Sequence, residues 1–247
     1  NSWINFMQGT KIQDLASNSK NMLVIVDDKS LKCSVDNYTI SNNNYINAVD
    51  FNNGHFLGVG DNGSFSYSTN CINWTNKSVS ENSFKNSDNK NLIGVTLGGH
   101  EMNYGVAWTK NKIFQWVSGT DQFYAAELHY VNYESSEILD IKYSNFYQKF
   151  FGFIYDNSAS DDHKLIAIES SDGYMWSYDT FPKYNEMKLP KINKIGNYSH
   201  SQILAISDEE DYIYVSNGNF GVWSRIELPF KPINLHTITY PISNISR

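Results

Sequence analysis

Phe56-Leu57-Gly58-Val59-Gly60-Asp61-Asn62-Gly63-Ser64-Phe65-Ser66-Tyr67-Ser68-Thr69-Asn70-Cys71-Ile72-Asn73-Trp74-Thr75 is the stretch whose reading decides the fold. Its apolar start, Phe56 to Gly60, predicts a short strand. Asp61-Asn62-Gly63 predicts a tight turn, because Asn and Gly tolerate the left-handed backbone that such turns need. Phe65 and Tyr67 alternate with serines, the period of a second strand. Ser68 to Trp74 predicts another turn, closed by an aromatic side chain.

Working outward, the last part of this stretch recurs. Ser170-Ser171-Asp172-Gly173-Tyr174-Met175-Trp176 aligns with Ser68 to Trp74 without a gap, matching the Ser, the Asn/Asp and the Trp. Ser34-Val35-Asp36-Asn37-Tyr38-Thr39-Ile40 fits the same frame with Ile in place of Trp, and Ser216 to Trp223 fits with one inserted residue. Thr109-Lys110-Asn111-Lys112-Ile113-Phe114 is a poor copy, so its unit is placed by its strands.

Ahead of each copy lie two short apolar runs bounded by Asn, Gly, Ser or Asp, which predict strands. The first of each pair are Ile12 to Ala16, Ile46 to Phe51, Leu92 to Leu97, Ile138 to Tyr143 and Ile192 to Gly196. The second are Met22 to Val26, Phe56 to Gly60, Gly105 to Trp108, Phe150 to Tyr155 and Ile203 to Ile206. A further strand after each turn, such as Thr75 to Val79 or Arg225 to Leu228, completes four per unit. No segment keeps a helical period with caps.

Units of roughly 35 to 60 residues with four antiparallel strands are the blades of a β-propeller. The expected architecture is therefore all-β, a single propeller domain over residues 1–247. Its five blades fall at about 11–44, 45–82, 83–136, 137–186 and 187–231. Residues 1–10 and 232–247 are expected to supply closing strands, as Ser2 to Met7 and Ile233 to Tyr240 are strand-like; they complete a blade or add a sixth. The chain begins at Asn1 and is expected to be an excised or processed part of a longer protein.

Gly58-Val59-Gly60-Asp61-Asn62-Gly63, followed by Ser68-Thr69-Asn70 and Trp74, resembles the Asp-box repeat. That repeat occurs in sialidase-like propellers, in photosystem assembly-factor-like propellers and in bacterial surface and phage tail proteins. The resemblance implies that the box is a folding element, in which Asp or Asn caps a turn and the aromatic packs between strands. Sialidase activity would need three arginines around a carboxylate, in the bidentate geometry only Arg offers. This chain has two arginines, Arg225 and Arg247, and so departs from that pattern. The basic arginine patch implied by the photosystem-factor resemblance has no counterpart either.

Composition narrows function further. A chain of 247 residues with 40% hydrophobic side chains supplies a sizeable core. Its net charge of -7 opposes nucleic acid or an anionic membrane surface as partner. No apolar run is long enough to span a bilayer. Aromatics at 15%, led by Tyr, suit β-structure and also surfaces that stack on sugars or peptides. Asn-X-Ser/Thr triplets at Asn37, Asn62, Asn73, Asn76, Asn197 and Asn244 follow from the abundance of Asn and are not read as glycosylation. Cys33 and Cys71 are too few for a disulfide framework or a metal knuckle.

No constellation predicts catalysis, a metal or a cofactor. The six histidines lack ligand spacing. The acidic stretches Asp156 to Asp162 and Asp208 to Asp211 lack the EF-hand pattern and read as solvated hairpin tips. Asp140, Asp161, Asp162 and Glu169 are available for a glycoside hydrolase or lyase but carry no motif.

The third unit is the irregular one. A long polar segment, Ser83 to Lys90, precedes it, and an aromatic hairpin, Phe114 to Tyr124, follows its degraded turn. Loops that depart from a repeat gather on one face, often the binding face. Strand parity sets Tyr124, Ala126, Leu128 and Tyr130 on one side and Glu127, His129 and Tyr133 on the other. The candidate ligand-binding residues are therefore Trp116, Phe123, Tyr124, His129, Tyr133, Asp161 and Asp162, with packing against a neighbouring blade as the alternative.

The expected function is a non-enzymatic binding module, extracellular, on a cell surface or on a virion. By resemblance, it is a receptor- or glycan-binding propeller of a phage tail fibre, a phage-tail-like bacteriocin or a secreted or surface protein. Its partners would be a cell-surface glycan or protein receptor, and other subunits of a tail or surface assembly. The alternative is a structural propeller that spaces or docks parts of a larger assembly.

Overall fold

A computed structural model describes residues 12–17, 23–27, 29–33, 38–40, 45–80, 83–84, 89–99, 104–118, 122–128, 134–160, 163–178, 182–184, 187–199, 201–207, 210–217 and 222–227. Among these the regular secondary structure is mostly strand, with 3-10 turns at Asp61–Gly63 and at Ser83 and His163. No helix of the described residues is long and apolar enough to cross a membrane.

The strands form successive sheets in chain order, each built on four antiparallel strands, one of them extended by a fifth, parallel strand. The first holds β1 (Ile12–Ser17), β2 (Leu23–Asp27), β3 (Ser30–Cys33) and β4 (Tyr38–Ile40). The second holds β5 (Ile46–Asn52), β6 (His55–Gly60), β7 (Ser64–Ser68) and β8 (Thr75–Ser78), and the third β9 (Gly94–Gly98), β10 (Tyr104–Trp108), β11 (Ile113–Val117) and β12 (Gln122–Ala125). A two-residue strand, β13 (Glu127–Leu128), pairs in parallel with Met175 and Trp176. The fourth sheet is β14 (Ser136–Ser144), β15 (Lys149–Asp156), β16 (Leu165–Ser170) and β17 (Met175–Tyr178). After a small hairpin of β18 (Lys183–Tyr184) and β19 (Met187–Lys188), the fifth follows as β20 (Lys194–Ser199), β21 (Gln202–Ile206), β22 (Tyr212–Ser216) and β23 (Ser224–Glu227).

The strands predicted from apolar runs lie at these positions, their ends shifted by up to three residues. Two local expectations are corrected. Thr109-Lys110-Asn111-Lys112 does form a Ser/Thr-X-Asn turn, with Asn111 N–H and Lys112 N–H donating to Thr109 Oγ1 at 3.4 and 3.1 Å. It joins the second strand of its sheet to the third, however, whereas Ser68 to Trp74 and Ser170 to Met175 join third to fourth. Strand parity from Tyr124 to Tyr130 also fails at Ala126. Ala126 N–H still bonds Ile113 O at 2.9 Å, whereas Glu127 N–H bonds Tyr174 O at 2.8 Å, so the chain changes partners there. The proposed closing strands, 1–10 and 232–247, and the turn at 34–37 lie outside the described residues.

The chain packs as two compact units, residues 1–128 with 170–176, and residues 129–169 with 177–247. In the first unit alternate side chains of one strand enter different cores. Phe56 packs with Ala16, Leu31, Ile46 and Val49, while Leu57 and Val59 pack with Val95, Leu97, Phe114 and Trp116. This explains why β6 reads as a continuous apolar run: both its faces are covered. In the second unit Phe151, Phe153, Ile195, Ile203, Ala205, Tyr214 and Trp223 form the equivalent layer.

Cys33 at the end of β3 and Cys71 in the turn after β7 form a disulfide, and both are fully buried. Closing the 38-residue separation between them restricts the unfolded chain by about 3 to 4 kcal/mol.

Candidate functional site

The repeated turns come first, because they show what most of the polar side chains are for. After β16, Gly173 N–H donates to Ser170 Oγ at 2.8 Å, and Tyr174 and Met175 N–H groups donate to Asp172 Oδ1 at 2.8 and 3.0 Å. Trp176 Nε1 then donates to Gly173 O at 3.0 Å, burying its ring to 2% exposure. After β7 the pattern repeats, with Asn70 Oδ1 accepting from Ile72 and Asn73 at 3.1 and 2.9 Å and Trp74 Nε1 bonding Cys71 O at 2.8 Å. Gly173 has a φ of 78° and Cys71 one of 55°, so both turns pass through left-handed backbone at the same position.

Carboxylates on the first strands of the sheets are likewise committed. Asp14 accepts Val49 N–H at 3.0 Å, Asp50 accepts Leu97 N–H at 2.9 Å and Asp140 accepts Ile195 N–H at 2.9 Å. Each bond ties one sheet to the first strand of the next in its unit. Asp140 is only 2% exposed. Glu169 pairs with Lys149 at 2.8 Å. At the tip after β15, Asp156 accepts Ser135 Oγ at 2.9 Å and Ser158 N–H at 2.9 Å. Burial would raise its pKa, but the bonds from Ser158, Ser135 and the Ala159 N–H outweigh that and hold it below the ordinary aspartate value.

The residues predicted to bind a ligand fare differently from one another. Trp116 and Phe123 are cross-strand partners, 1% and 4% exposed, inside the first unit's core. Phe123 meets Phe65 edge-on at 4.8 Å, and Trp116 lies 6.2 Å from Tyr67. Packing accounts for both. Tyr124, opposite Gln115, is exposed, and its hydroxyl bonds Gln122 at 3.2 Å. His129, Tyr133, Asp161 and Asp162 lie outside the described residues.

A different group combines exposure with an ordered polar frame. Tyr45, just before β5, is 62% exposed. Its carbonyl accepts Asp61 N–H at 2.8 Å, an approach so close that a Cβ at Gly60 would stand 1.8 Å from that oxygen. Asp61 receives Lys29 Nζ at 2.5 Å and Asn47 Nδ2 at 2.9 Å, and Asn47 also donates to Leu92 O at 2.9 Å. Lys29 Nζ lies 5.8 Å from the Tyr45 ring centroid, within cation–π range. Next along the chain, exposed Asn62 donates its N–H to Asn91 Oδ1 at 3.2 Å. Burial would raise the pKa of Asp61, but its bonds from Lys29 and Asn47 and the Lys29 charge prevail and lower it.

Lys29 and Asn62 both hold positive φ, 62° and 55°. Asn accepts that conformation readily, whereas Lys does so at roughly 1 kcal/mol. Lys29 stands in the tight turn between β2 and β3, where Gly or Asn is the usual choice. Sequence reading noticed Asp61 and Asn62 but assigned them to the turn alone. The available signal for the rest was Tyr45, an aromatic at the end of the polar run Ser41 to Asn44.

No protein-family model matches this sequence, and no curated protein sequence matches it. Solved structures do resemble its fold. A streptogramin B lyase matches with TM-score 0.64 and 9% identity over 93% of this chain and 73% of that one. YCF48 bound to D1 peptide matches with TM-score 0.57 and 10% identity over 87% and 67% of the two chains. The WD40 β-propeller domain of Doa1 gives 0.55 and 12% over 89% and 69%. Identity this low speaks for architecture alone. Together with the successive four-stranded antiparallel sheets, these likenesses establish that the chain has a β-propeller fold.

Proposed function

We propose that this propeller is a non-enzymatic binding module that recognises a cell-surface glycan or protein receptor, as part of a phage tail fibre, a phage-tail-like bacteriocin or a secreted or surface protein. The observation that carries the proposal is the exposed ring of Tyr45 in its frame of Lys29, Asp61 and Asn47, a large stacking surface beside fixed hydrogen-bonding groups. The commitment of Asp140 to Ile195 and of Glu169 to Lys149 also favours binding over glycosidic chemistry. We read the Ser-X-Asn/Asp turns closed by Trp74 and Trp176 as Asp boxes, and residues 1–247 as one propeller domain. An extracellular or virion location is supported by the buried disulfide, since such bonds persist in oxidising compartments.

Labelled protein incubated with intact cells of a panel of bacteria is the test. Saturable adsorption to at least one host is expected, and no saturable adsorption to any would overturn the proposal. The structural alternative, a docking platform within an assembly, is favoured by Phe146. This side chain is 57% exposed at the tip between β14 and β15 and packs edge-on against Tyr147, whose hydroxyl bonds Ser201 O at 2.6 Å. The YCF48 neighbour, solved with a D1 peptide, shows a propeller of similar fold holding a polypeptide.

A further inference from the structure

From the geometry around Tyr45 we infer a binding site for a neutral pyranoside, with the Tyr45 ring as its stacking platform. The inference rests on the chain being a binding module and names the ligand class of the site already described. Charge supplies the first reason. Lys29 and Asp61 face each other at 2.5 Å, so the cluster's cation and anion cancel locally and neither an acidic nor a basic ligand gains by entering. Amphipathic ring geometry supplies the second. Lys29 lies over the Tyr45 ring, yet the residue remains 62% exposed, leaving aromatic surface for the C–H face of a sugar.

Hydrogen bonding supplies the third. Asp61 is held by Lys29 and Asn47, and Asn47 is anchored on Leu92 O, so the polar groups are fixed before any ligand arrives. Lys29 retains ammonium protons beyond the one given to Asp61, and the Asp61 carboxylate keeps acceptor capacity beyond its bonds from Lys29 and Asn47. A sugar hydroxyl is served by that combination, whereas an apolar peptide side chain would leave these groups unsatisfied.

Saturation-transfer NMR tests the site with three probes at millimolar concentration: the methyl glycosides of glucose, galactose and N-acetylglucosamine. Irradiating protein aromatic protons should saturate ring protons of at least one glycoside. Tyr45→Ala should weaken that binding about tenfold or more, Tyr45→Phe should retain it, and Tyr178→Ala, at another exposed ring, should leave it unchanged. Tyr45 is exposed, so Tyr45→Ala should fold with an unchanged melting temperature within about 2 °C. Absence of transfer to all three glycosides, or equal transfer with wild type and Tyr45→Ala, overturns the site. If the protein adsorbs to cells while no glycoside binds, the sugar site fails and the binding-module proposal stands. If a glycoside binds at Tyr45 while no cell is recognised, the site stands and the receptor proposal fails.

Discussion

Two tryptophans of this chain are equally buried and differ in what their indole N–H does. Trp176 Nε1 bonds Gly173 O at 3.0 Å, whereas buried Trp116 Nε1 finds no acceptor among the described residues. Trp176→Phe should therefore cost about 1 to 2 kcal/mol more than Trp116→Phe, because it also strands a carbonyl. Urea denaturation of both variants checks this, and equal costs would remove the hydrogen bond from the account. Trp176→Ala should cost about 3 to 5 kcal/mol as a large-to-small change. Asp140→Ala should cost about 2 to 3 kcal/mol by abandoning Ile195 N–H at a buried site. At this scale the turn residues were legible because Ser, Asp and Trp recur at fixed spacing. Asp14, Asp50 and Asp140 were not read as a set. Their acceptor role depends on which strand lies alongside, which spacing within one strand does not reveal.

Elements are joined here by a disulfide and by charge-assisted hydrogen bonds, and each makes its own prediction. Removing Cys33–Cys71 should lower stability by about 3 to 4 kcal/mol. Since residue 71 has a φ of 55°, the pair Cys33→Ala with Cys71→Gly should be about 1 kcal/mol more stable than Cys33→Ala with Cys71→Ala, again by urea denaturation. Acid should act through Asp61 and Asp156, whose pKa values are lowered in the fold from the ordinary 3.8. A lowered carboxylate contributes stability that is fully present above its unfolded value and is lost as pH falls through its folded value. The melting temperature should thus hold from neutrality to about pH 5 and fall below about pH 4, and Asp61→Asn should make that fall shallower. Strand positions were legible from apolar runs flanked by Asn and Gly. Thr109 to Lys112 misled because a Ser/Thr-X-Asn turn forms equally well at either hairpin of a sheet, so the turn alone does not say which strands it joins.

For the whole molecule, architecture was far more legible than the site. Four-stranded units follow from short-range periodicity, which the sequence carries openly. The candidate site gathers Lys29 from the turn after β2, Tyr45 and Asn47 from the start of β5, and Asp61 from the turn after β6, three segments that only pairing of the sheets brings together. Trp116 and Phe123 drew attention for the opposite reason: their aromaticity serves a core, and the exposed ring lies elsewhere.

Adsorption of the labelled chain to intact bacterial cells, comparing wild type with Tyr45→Ala, bears most directly on the central claim that this propeller binds a surface receptor through the Tyr45 site. The account predicts saturable adsorption of the wild type to at least one host and its reduction by about tenfold in the variant. Equal adsorption of the two proteins, or none by either, would contradict it.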